Sequence, residues 1–282
     1  MNTVFSVEDL RAVIAGWRRE GLTVAFVPTM GNLHDGHISL LKEARTRADR
    51  TVVSIFVNPA QFGPQEDFSR YPRSFSHDLA LLAPLGVDVV FAPTVDEMYP
   101  PGFATWIDVG DVTDRLEGAA RPGHFRGVAT VVAKLFAIVQ PRRAYFGQKD
   151  AQQVVVVRKM VRDLALPLDI VAVPTVRDTD GVALSSRNAY LSPEERRAAA
   201  VLPRALFAAE AAFRRGESDA DRLRGIVRDT VAGEPLVRLE YVSVADNDTL
   251  VELVTVDRPT LLSLAARVGS TRLIDNILLG RV

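Results

Sequence analysis

Apolar residues recur along this chain at two alternating periods. Val7, Leu10, Ile14 and Trp17 fall at helical spacing behind Ser6, which is suited to cap a helix, and Gly21 ends the run. TVAFVP (23–28) follows, a near-continuous apolar run of the kind that suits a strand buried on both faces. The alternation then repeats: a helix from about Ile38, TVVSIFV (51–57), a helix around 75–83, VDVVFAP (87–93), a helix over 128–139, AYFG (144–147), a helix over 151–163 and LDIVAVP (168–174). Alternating elements of this kind predict an α/β fold with a doubly wound parallel sheet, whose ligands gather at the carboxyl ends of the strands.

The rhythm changes near residue 178. Ser192-Pro193-Glu194-Glu195 is a capping box with proline at the first helical position, so a helix starts there. Two Ala- and Arg-rich helices follow, and then VRLEYVSVAD, TLVELV, TLLSLAARV and TRLIDNILL read as short strands. This tail predicts a smaller C-terminal α+β domain, with its boundary at about 175–190. No internal repeat and no low-complexity segment is visible.

Composition narrows the chemistry. The 34 basic and 35 acidic residues leave a formal net charge of −1, and the basic residues are scattered, so nothing points to nucleic acid. There is no cysteine, which excludes disulfides, thiolate nucleophiles and cysteine-bound metals and fits a reducing cytoplasm. The N-terminus does not read as a signal peptide, and no run reaches the roughly 18 apolar residues of a membrane span.

Five stretches carry candidate chemistry. In 27-VPTMGNLHDGHISLL-41 a strand breaks and two histidines, His34 and His37, stand where a helix opens. Unpaired amides and the helix dipole favour an anion there, and imidazoles add donors. In 56-FVNPAQFGPQEDFSRYPRS-74, Asn58 and Gln61 are neutral amides suited to a ligand's hydroxyls or carboxylate. Arg121, His124 and Arg126 precede the apolar helix of 119-AARPGHFRGVATVVAKLF-136, and Lys149, Asp150 and Gln153 sit where another helix opens in 145-YFGQKDAQQ-153. Ser185, Ser186 and Arg187, in 183-ALSSRNAYLS-192, are groups of the type that clamp phosphates. Singly, each has an ordinary alternative as a capping residue, a solvated loop or a surface charge. Their order at the ends of successive strands is what informs.

Together these stretches resemble the pantoate–β-alanine ligase (pantothenate synthetase) family, in order and spacing, from the first helix to the last strand. The element His34-Asp35-Gly36-His37 also resembles that of the wider nucleotidyltransferase superfamily. The resemblance implies a Rossmann-like nucleotide- and pantoate-binding domain over 1–176 and a smaller domain over 177–282 that closes over ATP. It implies an ATP site formed by Met30, Gly31, Asn32, Leu33, His34, Asp35, Gly36, His37, Gly147, Gln148, Lys149, Asp150, Val176, Leu184, Ser185, Ser186 and Arg187. His37 would be the general acid at the phosphates, with His34, Lys149, Ser185, Ser186 and Arg187 as further catalytic groups. Gln61 and Gln153 would bind pantoate, and Gln61 would also border β-alanine. Mg²⁺ and a homodimer are implied as well, while a cytoplasmic location is expected from the lack of a signal-peptide pattern and of a membrane-length apolar run. No ligand set for the metal can be read, although Asp78 and Asp150 are candidates. Asn32 and Asp35 stand where the family more often has Ala and Glu, and Gln148 where Glu is commoner. The rival reading is another nucleotidyltransferase of this superfamily acting on a small phosphorylated substrate. The paired glutamines argue against it, since a phosphate would call for more arginine at the acid pocket.

Overall fold

A computed structural model describes residues 1–64 and 66–280; Gln65 of the polar loop and 281–282 at the end of the expected second domain lie outside the described residues. The chain divides into two compact units, one of Met1–Gly147 with Val156–Pro174, the other of Gln148–Val155 with the chain from Thr175 on.

In the first unit six strands, β1 (Asn2–Val4), β2 (Val24–Thr29), β3 (Arg50–Ile55), β4 (Val89–Phe91), β5 (Arg143–Gly147) and β6 (Asp169–Val173), form a parallel sheet in the order β1-β4-β3-β2-β5-β6. The doubly wound α/β reading is therefore correct. Strand β1 was not foreseen, because three residues at a sheet edge carry too short a pattern to read.

Burial explains why the central strands are apolar throughout. On β2, Ala25 and Val27 face a core shared with Leu40, Leu41 and Ala44 of α2 (Asp35–Arg45). The intervening Phe26 packs edge-on against Phe136 of α6 (His124–Val139), 6.4 Å between ring centroids. Each of the larger buried side chains, Val27, Leu40, Leu41 and Phe26, contributes about 1.5–3 kcal/mol. Helix α1 (Val7–Arg19) is capped as expected, with Ser6 Oγ accepting from Asp9 N, and buries Leu10 and Ile14. Helix α3 (Phe75–Leu82) follows the polar loop, and the short helices α4 (Val95–Met98) and α5 (Leu116–Ala120) precede α6.

The second unit holds an antiparallel sheet of β7 (Val237–Asp246), β8 (Thr260–Val268) and β9 (Thr271–Leu279). Leu262, Leu264, Ala266 and Val268 of β8 join a core with Leu202, Leu206 and Ala209 of α9 (Val201–Arg214) and Leu223 and Val227 of α10 (Ala220–Ala232). Helix α8 (Pro193–Ala198) has the expected capping box: Glu195 N donates to Ser192 Oγ and Ser192 N to the Glu195 carboxylate. The expected strand TLVELV does not form. Asp246 Oδ1 accepts from the amides of Asp248 and Thr249, and Leu250 turns left-handed at φ 56°, so the segment folds back and makes only an isolated pairing of Glu252 with Ala245.

The turn Gln148–Asp150 and the start of α7 (Ala151–Asp163) pack with this second unit, where the sequence grouped them with the first. The reason is local, since Asn276 of β9 donates to the carbonyls of Gln148 and Lys149. Among the described residues no helix is long and apolar enough to cross a membrane.

Candidate active site

The sheet order reverses direction between β2 and β5, and a ligand crevice is expected outside their carboxyl ends. The loop leaving β2 is Met30–Leu33. Thr29 Oγ1 donates to Ser54 O and accepts from Gly31 N, which fixes the exit from the strand. Gly31 has φ +79°, and a Cβ there would stand 2.9 Å from Asp78 Oδ2. Asn32 follows at φ 50°, a conformation asparagine tolerates better than most other non-glycine residues.

Asp78, on α3 and only 1% exposed, accepts from Asn32 N at 2.9 Å and Leu33 N at 2.8 Å. Both of its oxygens therefore hold this loop, a role the sequence did not offer for it. Asp150 lies 3.4 Å from Lys149 Nζ. Among the described residues no group of three or more His, Cys, Asp or Glu gathers to hold a metal ion.

Helix α2 opens at Asp35, three residues before the expected start, because His34 is itself the cap. His34 Nδ1 accepts from Gly36 N at 3.1 Å, and His37 Nδ1 accepts from His34 N at 3.3 Å. Two imidazoles thus do the work that Ser and Glu do in an ordinary capping box. Their rings lie 4.2 Å apart. With both Nδ1 atoms accepting, the neutral rings carry their protons on Nε2, the tautomer that can donate to an anion.

Gln61 ends a short 3₁₀ turn, Pro59–Gln61, capped by Asn58, which is 1% exposed. Asn58 Nδ2 donates to Gln61 Oε1 and to Gly127 O, Tyr99 Oη donates to Asn58 Oδ1 at 2.7 Å, and Gln61 Nε2 reaches Met30 Sδ at 3.2 Å. The amide of Gln61 is thereby oriented and joined to the Met30 loop. Burial pushes the Tyr99 phenol up to about 12, so it remains a donor at all ordinary pH values. Gly127 lets α6 press on this turn: a Cβ there would lie 2.1 Å from Ala60 O.

Behind the turn, Arg121 binds the Glu66 carboxylate through two 2.6 Å contacts and also donates to Gln61 O and His124 Nε2. His124 Nδ1 donates in turn to Gln61 O at 2.8 Å. Burial and the adjacent Arg121 cation push the imidazole down to about 4, so it is neutral. Burial works against the Glu66 charge, but Arg121 outweighs it and holds that carboxyl below its usual range. Arg121 is thus occupied by Glu66. Tyr99 and Glu66 had no signal in the sequence, since their role depends on partners more than forty residues away. Arg126 lies apart from this cluster, over the Trp106 ring.

The remaining predicted residues belong to the second unit, save Gly147, which ends β5. Gln148, Lys149 and Asp150 form a 3₁₀ turn, with Gln153 one turn into α7. Leu184 N donates to Val176 O. Ser185 Oγ accepts from Arg187 N and caps the 3₁₀ turn Ser186–Tyr190. Lys149 and Ser185 line one small pocket with Asn188, Val182, Leu202 and Ile274. Two residues separated by thirty-odd positions are thus brought together.

The chain matches the family model for pantoate-beta-alanine ligase over residues 2–278. It is 60% identical over 280 residues to a pantothenate synthetase of Chloroflexus aurantiacus, covering 99% of this chain and 98% of that protein. A Roseiflexus pantothenate synthetase is 58% identical over 279 residues, with 99% and 98% covered. Among solved structures, pantothenate synthetase from Thermus thermophilus superposes with a TM-score of 0.94 at 51% identity, over 98% of this chain and 99% of that one. The pantoate-beta-alanine ligase of Francisella tularensis, complexed with beta-gamma ATP and beta-alanine, gives 0.81 at 34% identity, over 99% and 97%. With a match that runs from the first strand to the last and a shared fold, this chain belongs to the pantoate-beta-alanine ligase family.

Proposed function

We propose that this chain is an AMP-forming ligase that condenses pantoate with β-alanine at the expense of ATP, giving pantothenate, AMP and pyrophosphate. The observation that carries the reading is the oriented Gln61 amide beside the Met30 loop, next to a helix opened by two imidazoles. A neutral amide in that place suits a hydroxy acid. The nearby guanidinium of Arg121 is occupied by Glu66, so the pocket is poorly suited to a phosphorylated substrate.

The chemistry follows from what a carboxylate lacks. It is a poor electrophile, so a carboxylate oxygen of pantoate attacks the α-phosphorus of ATP. A new O–P bond forms, the α–β bridging P–O bond breaks, and pyrophosphate leaves. The β-alanine amine then attacks the activated acyl carbon and gives up a proton, and AMP departs. The protein needs no covalent nucleophile; it positions the reactants and stabilises developing phosphate charge. The Nε2–H groups of His34 and His37 are suited to that, with His37 as the acid, and each such donor is worth about 10²–10³ in rate. By the family resemblance Lys149, Ser185, Ser186 and Arg187 supply further donors, and Gln153 shares pantoate with Gln61.

Magnesium would neutralise triphosphate charge when bound. The described residues build no cage for it, which suits a cation carried by phosphates and water with Asp150 as at most one partner. The proposal includes a homodimer, as the resemblance implies, and a cytoplasmic location, as the sequence pattern suggests. The test is pantoate-dependent exchange of labelled pyrophosphate into ATP with β-alanine left out. Exchange is expected; its absence, together with no AMP release once β-alanine is added, would refute the reading.

A further inference from the structure

We infer that Asn276, on the last strand, is a positioning residue that sets the Lys149 backbone, while its neighbour Asp275 separately holds the segment leading to Ser185. The inference rests on the ligase reading for what Lys149 does, but not for how Lys149 is held.

Asn276 is 4% exposed, and every polar atom of its side chain is used. Its Nδ2 donates to Lys149 O at 2.8 Å and to Gln148 O at 3.0 Å, while Oδ1 accepts from Gln148 Nε2 at 3.2 Å. Two amide hydrogens meet two carbonyls, so the amide has a single satisfied orientation. The contact also spares the turn a cost, since carbonyls at a 3₁₀ turn that lacked partners in a buried place would be expensive.

Asp275, 3% exposed, grips the other segment. Arg177 reaches its carboxylate in a fork at 2.7 and 2.9 Å, then extends to Gly181 O at 3.0 Å and Asn276 O at 3.2 Å. Gly181 and Arg177 flank a tight hairpin in which Arg177 pairs with Ala183, two residues before Ser185. Asp275 Oδ1 also accepts from Asn276 N. Adjacent residues of one strand therefore fix two segments 28 or more positions apart that line one pocket with Lys149 and Ser185. Asp275 borders this pocket as well. A strand paired along its length to β8 is a stiff support for both.

The test is a double-mutant cycle. Asn276→Ala should lower kcat/KM for ATP in the pyrophosphate-exchange assay about tenfold, while the pantoate KM stays within about twofold. In a Lys149→Ala background the same substitution should cost less than about twofold more, because its effect passes through Lys149. A full tenfold loss in that background would overturn the inference, as would a pantoate KM that rises as much as that for ATP. Should Asn276→Ala fail to fold, Asn276→Ser keeps one donor and replaces it in the cycle. Amide exchange of the 148–152 segment gives a readout independent of activity. At least about tenfold faster exchange is expected there in the Ser variant, and unchanged protection would refute the positioning role. Wild-type protein without exchange activity would count against the ligase reading alone, and amide exchange would still decide this one.

Discussion

Replacing Asp78 by Asn tests whether the Met30–Leu33 loop is held as described. The change is nearly isosteric, so packing is kept while one carboxylate oxygen becomes an NH₂ group. That group would face either Asn32 N–H, now 2.9 Å from an acceptor, or Leu33 N–H, now 2.8 Å. A hydrogen bond to a charged acceptor contributes about 1.5–3 kcal/mol, and a buried N–H left unpaired costs about 1–3 kcal/mol. These overlap, so the expected loss is about 2–4 kcal/mol. For a unit of this size it lowers Tm by about 5–12 °C. Calorimetry should find the shift in the transition of the first unit, which holds both Asp78 and the loop. Because the same loop carries proposed ATP contacts, the ATP KM should rise about tenfold if roughly 1.4 kcal/mol of the loss falls on the bound state. A Tm within about 1 °C of wild type, with an unchanged ATP KM, would show that the carboxylate is not what sets the loop.

Three further outcomes are expected. His37→Ala should fold, since it loses one capping contact worth about 1 kcal/mol, yet slow adenylate formation by about 10²–10³ in single-turnover assays; near-normal turnover would remove His37 from the chemistry. Gln61→Ala should raise the pantoate KM in steady-state titrations, and an unchanged value would contradict its role as the acid's amide partner. His124 gives a pH signature. Its folded value of about 4 lies below the ordinary 6.5, so on acidification the unfolded chain takes the proton first and stability falls between about pH 6.5 and 4. The loss is on the order of 3 kcal/mol. His124→Gln should flatten the stability profile above about pH 4.5, where Glu66 does not yet contribute; a profile parallel to wild type would argue against the neutral ring.

What the sequence made legible and what it hid divide along a physical line. Near-continuous runs such as TVAFVP and TVVSIFV announce strands covered on both faces, and Ser192 with Glu195 announces a helix start. Both signals are local. Capping by His34 and His37 is only the ordinary alternative in the sequence, because imidazoles seldom replace Ser and Glu, and an expected start near Ile38 lies three residues late. Asp78 stood in the sequence as a candidate metal ligand, and only the return of α3 to the β2 loop shows that its carboxylate holds the amides of Asn32 and Leu33. Likewise, TLVELV has strand composition, but the Asp246 carboxylate takes the amide of its first residue, Thr249, and Leu250 turns left-handed. Gln148–Val155 was grouped with the first unit because the partner of Gln148 and Lys149, Asn276, is 127 or more positions downstream.

The approach of α6 to the Ala60 carbonyl bears on how substrate preference in this protein can drift. At Gly127 main chain meets main chain, so no neighbouring side chain is available to shrink in compensation. One added methyl, 2.1 Å from Ala60 O and 2.7 Å from Gln61 N, must displace the turn that ends in Gln61, although it lies outside any reacting group. Variants at this position will register in a selection as changes of acid affinity while being, in origin, defects of fit between a helix and a loop. Anyone reshaping the enzyme toward bulkier or smaller acids would do better to leave residue 127 alone and vary side chains whose removal leaves room.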